Sequence, residues 1–545
     1  MESLIIAALA LCSLTAPACG DKGTSKARSC SDIRQFYGGK GFSLDNAPLS
    51  EISGEHLRIC PQGYTCCTVE MEGSLASMSC KEMEGLLKDA GRAVQTSLTG
   101  QHKAFDGFFL DLLNRSMARL QKSFTSTWGF LYSMNTQVFS DLYNDLSGYC
   151  RGGSVNLEEV LNEFWAKLLE KLVYQKNKQF SLGEDYQECV SKQIETIRPF
   201  GETPHKMSVE VTRTLLAARS FLQGLVKSAE VVRKVSQVPL SPACMRAMMR
   251  MTYCPHCRGI PSARPCANYC SNVMKGCLAN QADLNTEWKH LVDTMVVVAE
   301  NRLIGMDQTI LSLPERISEA MYTMMEKIET INAKLSQACG EVGPISTGAE
   351  EVRTVGRVTV EDTLGNTSKN MAKLVSEVTM RLRDMQSYWV SLPKILCSDR
   401  AAHGAGAEDK CWNGINRARY LPEVMGDGLA NQINNPEVEI DITKPDMTIR
   451  QQIMQLKITS NRLRNALNGF DVDFQDTSDD PSGSGSGSCT DPTCSQDPGL
   501  IATSTGGPVF YPYPPENKKV TGSARQNVPS IIILLISLFI LLLRR

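Results

Sequence analysis

Three serines stand in tandem near the C-terminus, each followed by a glycine, as Ser482-Gly483, Ser484-Gly485 and Ser486-Gly487. A glycosaminoglycan chain starts by transfer of xylose to a serine hydroxyl, and the transferase has to hold extended backbone around that serine. A following glycine helps because it removes a side chain that would crowd the backbone. The pattern therefore predicts glycosaminoglycan attachment at Ser482, Ser484 and Ser486, with a plain flexible linker as the alternative. Carboxylates that offer the enzyme a charged handle precede the serines at Asp471, Asp473, Asp476, Asp479 and Asp480.

Cysteines form the second set of residues with chemistry of their own. The chain has 20 cysteines. Cys12 and Cys19 lie in the N-terminal segment that is predicted to be cleaved as a signal peptide, so 18 cysteines (20 − 2) remain in the mature chain. An even number in an exported chain predicts disulfides. Because the cysteines are spread widely, some bridges must close long loops. Each long closure is worth roughly 3–5 kcal/mol in the chain-entropy model.

The motif Cys254-Pro-His-Cys257 has two competing interpretations, as a zinc site or as a thiol redox site. Zinc would need a second such motif or a histidine pair, whereas the six histidines are scattered. A redox motif would follow a strand, but residues 211–235 carry a helical pattern. We therefore expect no metal and no redox catalysis. The chain also lacks G-x-S-x-G and H-E-x-x-H motifs, so we expect no enzyme, and a net charge of −2 argues against a nucleic-acid-binding face.

Both ends of the chain carry targeting patterns. Residues 1–20 place an apolar run before small residues, as a cleavable secretory signal peptide does. The apolar residues 531–543 would span about 20 Å as a helix, less than the hydrocarbon core of about 30 Å. With a polar spacer and small residues upstream, this tail predicts a glycosylphosphatidylinositol (GPI) anchor at Thr521, Gly522 or Ser523, and removal of residues 523–545. The alternative is a spanning tail that ends in Arg544 and Arg545.

Helical periodicity dominates the chain between these ends. Asn156 followed by Glu159 predicts a helix N-cap, and period-two alternation is rare, so residues 21–470 are predicted to form an all-α core. Residues 341–366 are predicted to be a disordered loop or a processing loop, and residues 471–522 a disordered stalk rich in Gly, Ser, Pro and Thr. Helices are predicted around 81–99, 104–122, 137–147, 207–235, 285–300 and 306–336, with apolar stripes over 157–172, 371–389 and 449–467.

Two N-glycosylation sequons are present, at Asn114-Arg-Ser116 and Asn366-Thr-Ser368. Asn366 belongs to the polar stretch and is expected to be exposed. Asn114 lies in a predicted helix and must face outward to be used. Both asparagines are predicted to carry N-linked glycans.

The cysteine-rich centre resembles the signature of the glypican family at every fixed position, as Cys254-x2-Cys257-x-Gly259-Ile260-x4-Pro265-Cys266-x2-Tyr269-Cys270-x2-Val273-x2-Gly276-Cys277. The resemblance runs from about Cys30 to the apolar tail and implies an elongated all-α core with seven disulfides. Cys80, Cys150, Cys489 and Cys494 fall outside the family pattern. The implied pairs are Cys30–Cys66, Cys60–Cys254, Cys67–Cys257, Cys189–Cys339, Cys244–Cys277, Cys266–Cys411 and Cys270–Cys397.

The family resemblance also implies a function. A glypican is a heparan sulfate proteoglycan core protein, GPI-anchored on the extracellular face of the plasma membrane or shed from it. It acts as a co-receptor that presents its chains to basic heparin-binding growth factors and morphogens of the fibroblast growth factor, Wnt, Hedgehog and bone morphogenetic protein classes, and to their receptors. No cofactor is implied beyond covalent heparan sulfate and the GPI lipid. The alternative is a co-receptor that binds its ligand through the folded core, independent of glycan.

Overall fold

The structure is a computed structural model that describes residues 29–176, 184–340, 364–398 and 410–470. Helices dominate these residues, and the only strands in the described ranges are Ile52–Ser53 (β1) and Tyr64–Thr65 (β2), which pair antiparallel. The predicted all-α class is confirmed. In chain order the helices are α1 Ser31–Gly39, α2 Val69–Thr127, α3 Gly129–Ser133, α4 Thr136–Cys150, α5 Leu157–Lys176, α6 Glu184–Lys192, α7 Ile194–Ile197, α8 Thr203–Val235, α9 Pro242–Thr252, α10 Cys254–Cys257, α11 Ala267–Cys277, α12 Ala279–Ala282, α13 Asn285–Val298, α14 Met306–Leu311, α15 Leu313–Glu326, α16 Ile328–Cys339, α17 Leu364–Asp384, α18 Tyr388–Leu396 and α19 Met447–Asn468.

Helix α2 replaces two predicted helices with a single one. It has 59 residues and is therefore about 90 Å long. The sequence predicted a break between residues 99 and 104, where Gly100 stands, but the helix continues through this glycine, and a Cβ added there would meet no atom within 4 Å. The buried stripe simply continues through Leu98, Phe105 and Phe109. Packing on one face therefore outweighs the modest helix penalty of one glycine.

The predicted helix over 306–336 is divided into three, α14, α15 and α16. Pro314 lies in the first turn of α15, where its missing N–H costs nothing, so a new helix starts there in place of a continuation. The predicted cap of α5 is present, since the side-chain oxygen of Asn156 accepts the N–H groups of Glu158 and Glu159 at 3.0 and 3.4 Å. The sequence therefore predicted the N-cap of α5 correctly, but it did not predict that the amphipathic stretch 306–336 is divided into three helices.

Helix α8 lies at the centre of the packing, between α2 and α19. Close approach of α19 and α13 depends on Gly224 of α8, because an added Cβ there would lie 3.3 Å from Leu463 and 3.4 Å from Met295. The buried edge-to-face contact of Phe105 with Phe221, with ring centroids 5.1 Å apart, joins α2 to α8. The core is therefore built around α8, which packs against both α2 and α19.

Several sequence predictions lie outside the described residues. These are the signal peptide at 1–20, the stalk at 471–522, the GPI segment at 523–545, and residues 341–363 of the predicted loop. Helix α17 begins at Leu364, so the last three residues of the stretch predicted to be a loop, 364–366, are helical. Among the helices in the described ranges, none is both long enough and apolar enough to cross a membrane.

Candidate functional site

The residues predicted to carry glycosaminoglycan chains and lipid follow the last described helix. Ser482, Ser484 and Ser486, the anchor candidates Thr521, Gly522 and Ser523, and the stalk cysteines Cys489 and Cys494 all lie outside the described residues. Their attachment roles remain predictions. What the structure does describe is the point where the chain leaves the folded core.

That exit point is fixed by the C-terminal end of α19. Gly469 adopts φ +86°, and the N–H of Phe470 donates to the carbonyl oxygen of Asn465 at 3.0 Å, which closes the helix with a left-handed cap. The guanidinium of Arg302 donates to the carbonyl oxygen of Leu467. Two independent contacts therefore stop the helix at one place, and Phe470 emerges with 67% of its surface exposed.

The Asn114 sequon is part of α2. Asn114 is exposed, but Ser116 is fully buried. The Ser116 hydroxyl lies 2.7 Å from the hydroxyl of Tyr143 and donates to the carbonyl oxygen of Ile310 at 2.6 Å. In the folded core, recognition of this sequon through its serine is therefore blocked, and any glycan would have to be added before α2 packs. Asn366 falls within the backbone range of α17, and its glycosylation likewise remains a prediction.

Seven disulfides brace the described core, in agreement with the predicted number. Their pairing is the one that the family resemblance implies. Three of them close loops of 150 residues or more, which restricts the unfolded chain strongly. The bonds are Cys30–Cys66, Cys60–Cys254, Cys67–Cys257, Cys189–Cys339, Cys244–Cys277, Cys266–Cys411 and Cys270–Cys397.

The Cys-Pro-His-Cys motif is used for cross-linking. Cys254 bonds to Cys60 and Cys257 bonds to Cys67, so neither sulfur is available as a thiol or as a zinc ligand. His256 is buried against Phe36, with ring centroids 4.7 Å apart, and burial lowers its pKa to about 4. Within the described ranges no group of three or more His, Cys, Asp or Glu side chains is placed to hold a metal ion.

A buried carboxylate binds the backbone just before the Cys60–Cys254 disulfide. Glu72, only 2% exposed, accepts the backbone N–H groups of Arg58, Ile59 and Cys60 at 2.9, 2.9 and 2.7 Å. Three such bonds satisfy a buried charge that would otherwise be costly. Sequence reasoning missed Glu72; the available signal was an acidic residue in the apolar stripe at the start of α2.

Cys80 and Cys150 are free thiols in the structure. Cys80 is half-buried, and burial together with the nearby Glu84 carboxylate raises its pKa. Cys150 is buried, and burial raises its pKa to about 12. Both thiols are therefore poor nucleophiles at neutral pH. The sequence leaves open whether Cys80 and Cys150 pair with each other, stay buried as thiols or link two molecules. The structure contains no bond between them.

Residues 410–446 form a mostly irregular segment, here called the strap, which crosses α11. Asn272, fully buried on α11, donates to the carbonyl oxygen of Glu423 and accepts the N–H of Met425, both at 2.8 Å. Trp412, also fully buried, donates its indole N–H to the carbonyl oxygen of Arg250 at 2.9 Å. The strap is therefore a fixed part of the cysteine-rich end. Asn272 was not predicted, because it falls at an unspecified position of the cysteine spacing.

These features define a class of protein: an all-α core that is cross-linked by seven disulfides and whose last described helix ends in a fixed cap at residues 467–470. The family model named Glypican matches residues 10–544. The chain belongs to the glypican family. Family membership supports a heparan sulfate proteoglycan core protein.

Known relatives agree with this assignment over nearly the whole chain. Glypican-1 of Gallus gallus is 52% identical over 538 residues, covering 97% of this chain and 96% of the relative. The crystal structure of C-terminally truncated glypican-1 is similar with a TM-score of 0.74 and 51% identity, covering 82% of this chain and all of the other. The structure of Dally-like protein in complex with O-palmitoleoyl serine is similar with a TM-score of 0.63 and 30% sequence identity. The match covers 82% of this chain and all of the other.

Proposed function

We propose that this protein is a GPI-anchored heparan sulfate proteoglycan of the cell surface, with chains attached at Ser482, Ser484 and Ser486. The observation that carries the proposal is the tandem Ser-Gly repeat after an acidic run in a chain of the glypican family. The capped end of α19 supports it, because the stalk then starts from a defined point on a rigid core. In this proposal the folded core holds the start of the stalk, and the acidic chains bind the partner proteins.

The proposed mechanism is electrostatic. Sulfated chains form a dense anionic layer that raises the local concentration of basic growth factors and morphogens near their receptors. The proposed partners are the fibroblast growth factor, Wnt, Hedgehog and bone morphogenetic protein classes. Their binding weakens as salt rises, since the Debye length falls from about 10 Å at 0.1 M to about 3 Å at 1 M.

Glycan attachment is tested by electrophoresis of the protein purified from cells. Heparinase should convert a broad smear to a sharp core band, and Ser482→Ala with Ser484→Ala and Ser486→Ala should give the sharp band directly. Replacement of Ser488 and Ser495, which lack a following glycine, is the matched control and should leave the smear. A sharp band from the untreated natural protein would refute attachment.

The anchor is tested separately on intact cells. A phospholipase specific for GPI should release the protein into the medium. Replacement of residues 531–543 by a longer apolar segment of about 22 residues, enough to span a bilayer, should make the protein resistant. Retention of the natural protein after treatment would favour the spanning tail that ends in Arg544 and Arg545.

The second candidate function is glycan-independent ligand binding by the folded core. It is favoured by one comparison, since the related Dally-like protein has been solved with O-palmitoleoyl serine, a lipid-modified amino acid, bound to it. If the core binds a lipid-modified signalling protein in this way, the triple serine-to-alanine protein keeps its affinity for that partner and shows little dependence on salt. Loss of binding in that protein would leave the glycan as the binding element.

A further inference from the structure

The seven disulfides of the described core differ in how far solvent reaches their cysteines. Cys189–Cys339 is the only one of these seven bonds in which both cysteines are partly exposed. Both cysteines are buried in Cys30–Cys66, Cys60–Cys254, Cys67–Cys257 and Cys266–Cys411, and one cysteine is buried in Cys244–Cys277 and Cys270–Cys397. Access of the attacking thiolate is one of the factors that set the rate of thiol–disulfide exchange. The Cys189–Cys339 bond is therefore the one that a reductant reaches most easily.

The Cys189–Cys339 bond also lies apart from the other cross-links along the chain. Five of the other six bonds have at least one cysteine in the segment 244–277, and the sixth ends at Cys66, next to Cys67 of that group. Neither Cys189 nor Cys339 belongs to this connected set. Opening their bond therefore leaves the cysteine-rich end of the core fully cross-linked.

The bond attaches one short helix to another. Cys189 lies in α6, and Cys339 is the last residue of α16. Helix α6 has nine residues, of which only Val190 is buried. Isolated helices shorter than about 12 residues are marginal in water, so α6 depends on its packing against α5 and α16. The hydroxyl of Tyr186 is also hydrogen-bonded to the side chain of Ser336 on α16.

The disulfide is the strongest attachment between these two helices. It holds their Cα atoms 5.8 Å apart at Cys189 and Cys339. Tyr186 is only half-buried, so water competes for its hydroxyl, and the net contribution of such a hydrogen bond is small. With the disulfide open, a nine-residue helix with one buried side chain has to stay in place through weak contacts. We therefore expect α6 to detach from α16 once the bond is open.

We infer that the Cys189–Cys339 bond is a redox switch: a dithiol reductant opens it ahead of the other six bonds, and its opening releases α6 from α16. One thiolate of the reductant attacks a sulfur of the bond and forms a mixed disulfide, while the other cysteine leaves as a thiolate. The second thiol of the reductant then displaces the cysteine that is still bonded. The dithiol gives up two electrons and two protons and becomes a disulfide, and Cys189 and Cys339 become thiols.

Release of α6 changes the surface of this part of the core. Val190 is buried in the closed form and follows Cys189 directly, so it loses its cover when α6 detaches. Leu335 is fully buried one turn before Cys339, on the same face of α16. The open form therefore presents apolar surface that the closed form hides. This switch goes beyond the proposed function, in which the folded core holds the start of the stalk.

The first test measures the order in which the bonds open in the full-length protein, purified without reductant. Accessible thiols are blocked with N-ethylmaleimide, dithiothreitol or reduced thioredoxin is added, and the new thiols are labelled with deuterated N-ethylmaleimide. Peptide mass spectrometry then gives a labelling rate for each cysteine of the seven bonds. Cys189 and Cys339 should gain label together, about ten-fold faster than any other bonded cysteine, because access favours exchange at this bond.

The second test measures the release of α6 by hydrogen exchange. Where the reductant has opened only this bond, exchange should accelerate in residues 184–192 and stay unchanged in α2. The variant Cys189→Ser with Cys339→Ser should show the fast exchange without reductant, and reductant should change it no further. Cys270→Ser with Cys397→Ser, which removes a bond of the cysteine-rich end with one partly exposed cysteine, is the matched control and should leave α6 unchanged.

The two tests separate the parts of the inference. If another bonded pair gains label as fast as Cys189 and Cys339, or if their bond resists both reductants, the switch is overturned, and this measurement needs no substituted protein. If the bond opens and exchange in residues 184–192 does not change, the release of α6 is overturned. Opening by dithiothreitol alone supports a switch that responds to small dithiols, and opening by thioredoxin as well supports one that responds to protein dithiols.

Discussion

The guanidinium of Arg302 donates two hydrogen bonds to the carbonyl oxygen of Leu467, at 3.0 and 2.6 Å. Leu467 lies in the last turn of α19, where carbonyl oxygens have no partner within the helix. Arg302 lies in a π-helical turn, Ala299–Leu303, that follows α13. A side chain from one helix thus completes the end of another at the place where the stalk begins.

Arg302→Gln should loosen this end without unfolding the core. A charge-assisted bond to a carbonyl is worth roughly 1.5–3 kcal/mol, so we expect a loss of about 2 kcal/mol in local stability. Hydrogen exchange should accelerate in residues 463–470 and stay unchanged in α2. Lys289→Gln, an exposed change in α13, is the control. Unchanged protection of residues 463–470 in Arg302→Gln would show that the Gly469 cap alone fixes the exit.

The sequence predicted those features that depend on short-range pattern. Helical class, the Asn156 cap and the core face of α5 follow from residue spacing and are present. The number of disulfides followed from the resemblance to a family, since cysteine spacing by itself leaves many pairings open. The sequence therefore predicted those features that depend on residues close together in the chain, such as the Asn156 cap.

The sequence did not predict features set by contacts between distant segments. The unbroken α2 depends on its packing against α8 and other helices, which outweighs Gly100. The role of Asn272 depends on the strap, about 150 residues later, and that of Glu72 on three amides that precede it in a loop. Polar residues on buried faces were the available signal, but their partners appear only when the chain is folded.

Two disulfides, Cys60–Cys254 and Cys67–Cys257, should behave non-additively. They close loops of 194 and 190 residues that nearly coincide, and no other disulfide in the described core ties residues 30–67 to the rest. While one bond remains, the other closes only about 10 further residues. The chain-entropy model then gives a loss of roughly 3 kcal/mol for either pair and roughly 8 kcal/mol for both.

The loss of unfolding free energy is measured by urea unfolding without reductant. In each variant, both cysteines of a pair are changed to Ala. The Cys270–Cys397 pair closes a loop of 127 residues that shares no residue with the other two loops, so it is the additive control when combined with either. If the losses from the two long-loop pairs simply sum to the loss of the double variant, the overlapping-loop explanation fails.

Glu72→Ala should destabilise the region around Cys60 strongly. It leaves the N–H groups of Arg58, Ile59 and Cys60 without their acceptor. An unsatisfied donor costs roughly 1–3 kcal/mol when it is buried, as that of Cys60 is, and the donors of Arg58 and Ile59 are partly buried. We expect a loss of about 3–5 kcal/mol in unfolding free energy, with Glu72→Gln intermediate because one amide oxygen remains. Glu70→Ala, exposed in the same turn, is the control. A loss below about 1 kcal/mol in Glu72→Ala would mean that water replaces the carboxylate at these amides.

Stability should depend on pH through His256. Its pKa is lowered from 6.5 to about 4 because burial disfavours the charged imidazolium. Between these values the unfolded chain binds a proton that the folded chain does not, so stability falls as pH falls from 6.5 toward 4. The loss reaches roughly 2 kcal/mol by pH 5.

His256→Phe isolates this contribution, because Nδ1 of His256 has no hydrogen-bond partner and the ring is surrounded by Phe36 and Tyr253. A phenylalanine cannot be protonated, so the difference in unfolding free energy between variant and natural protein should grow in the variant's favour from pH 7 to pH 5. His290→Phe, at an exposed position, is the control and should show no such trend. A difference independent of pH would mean that His256 is solvated on protonation, through local opening at α10, and does not limit stability in acid.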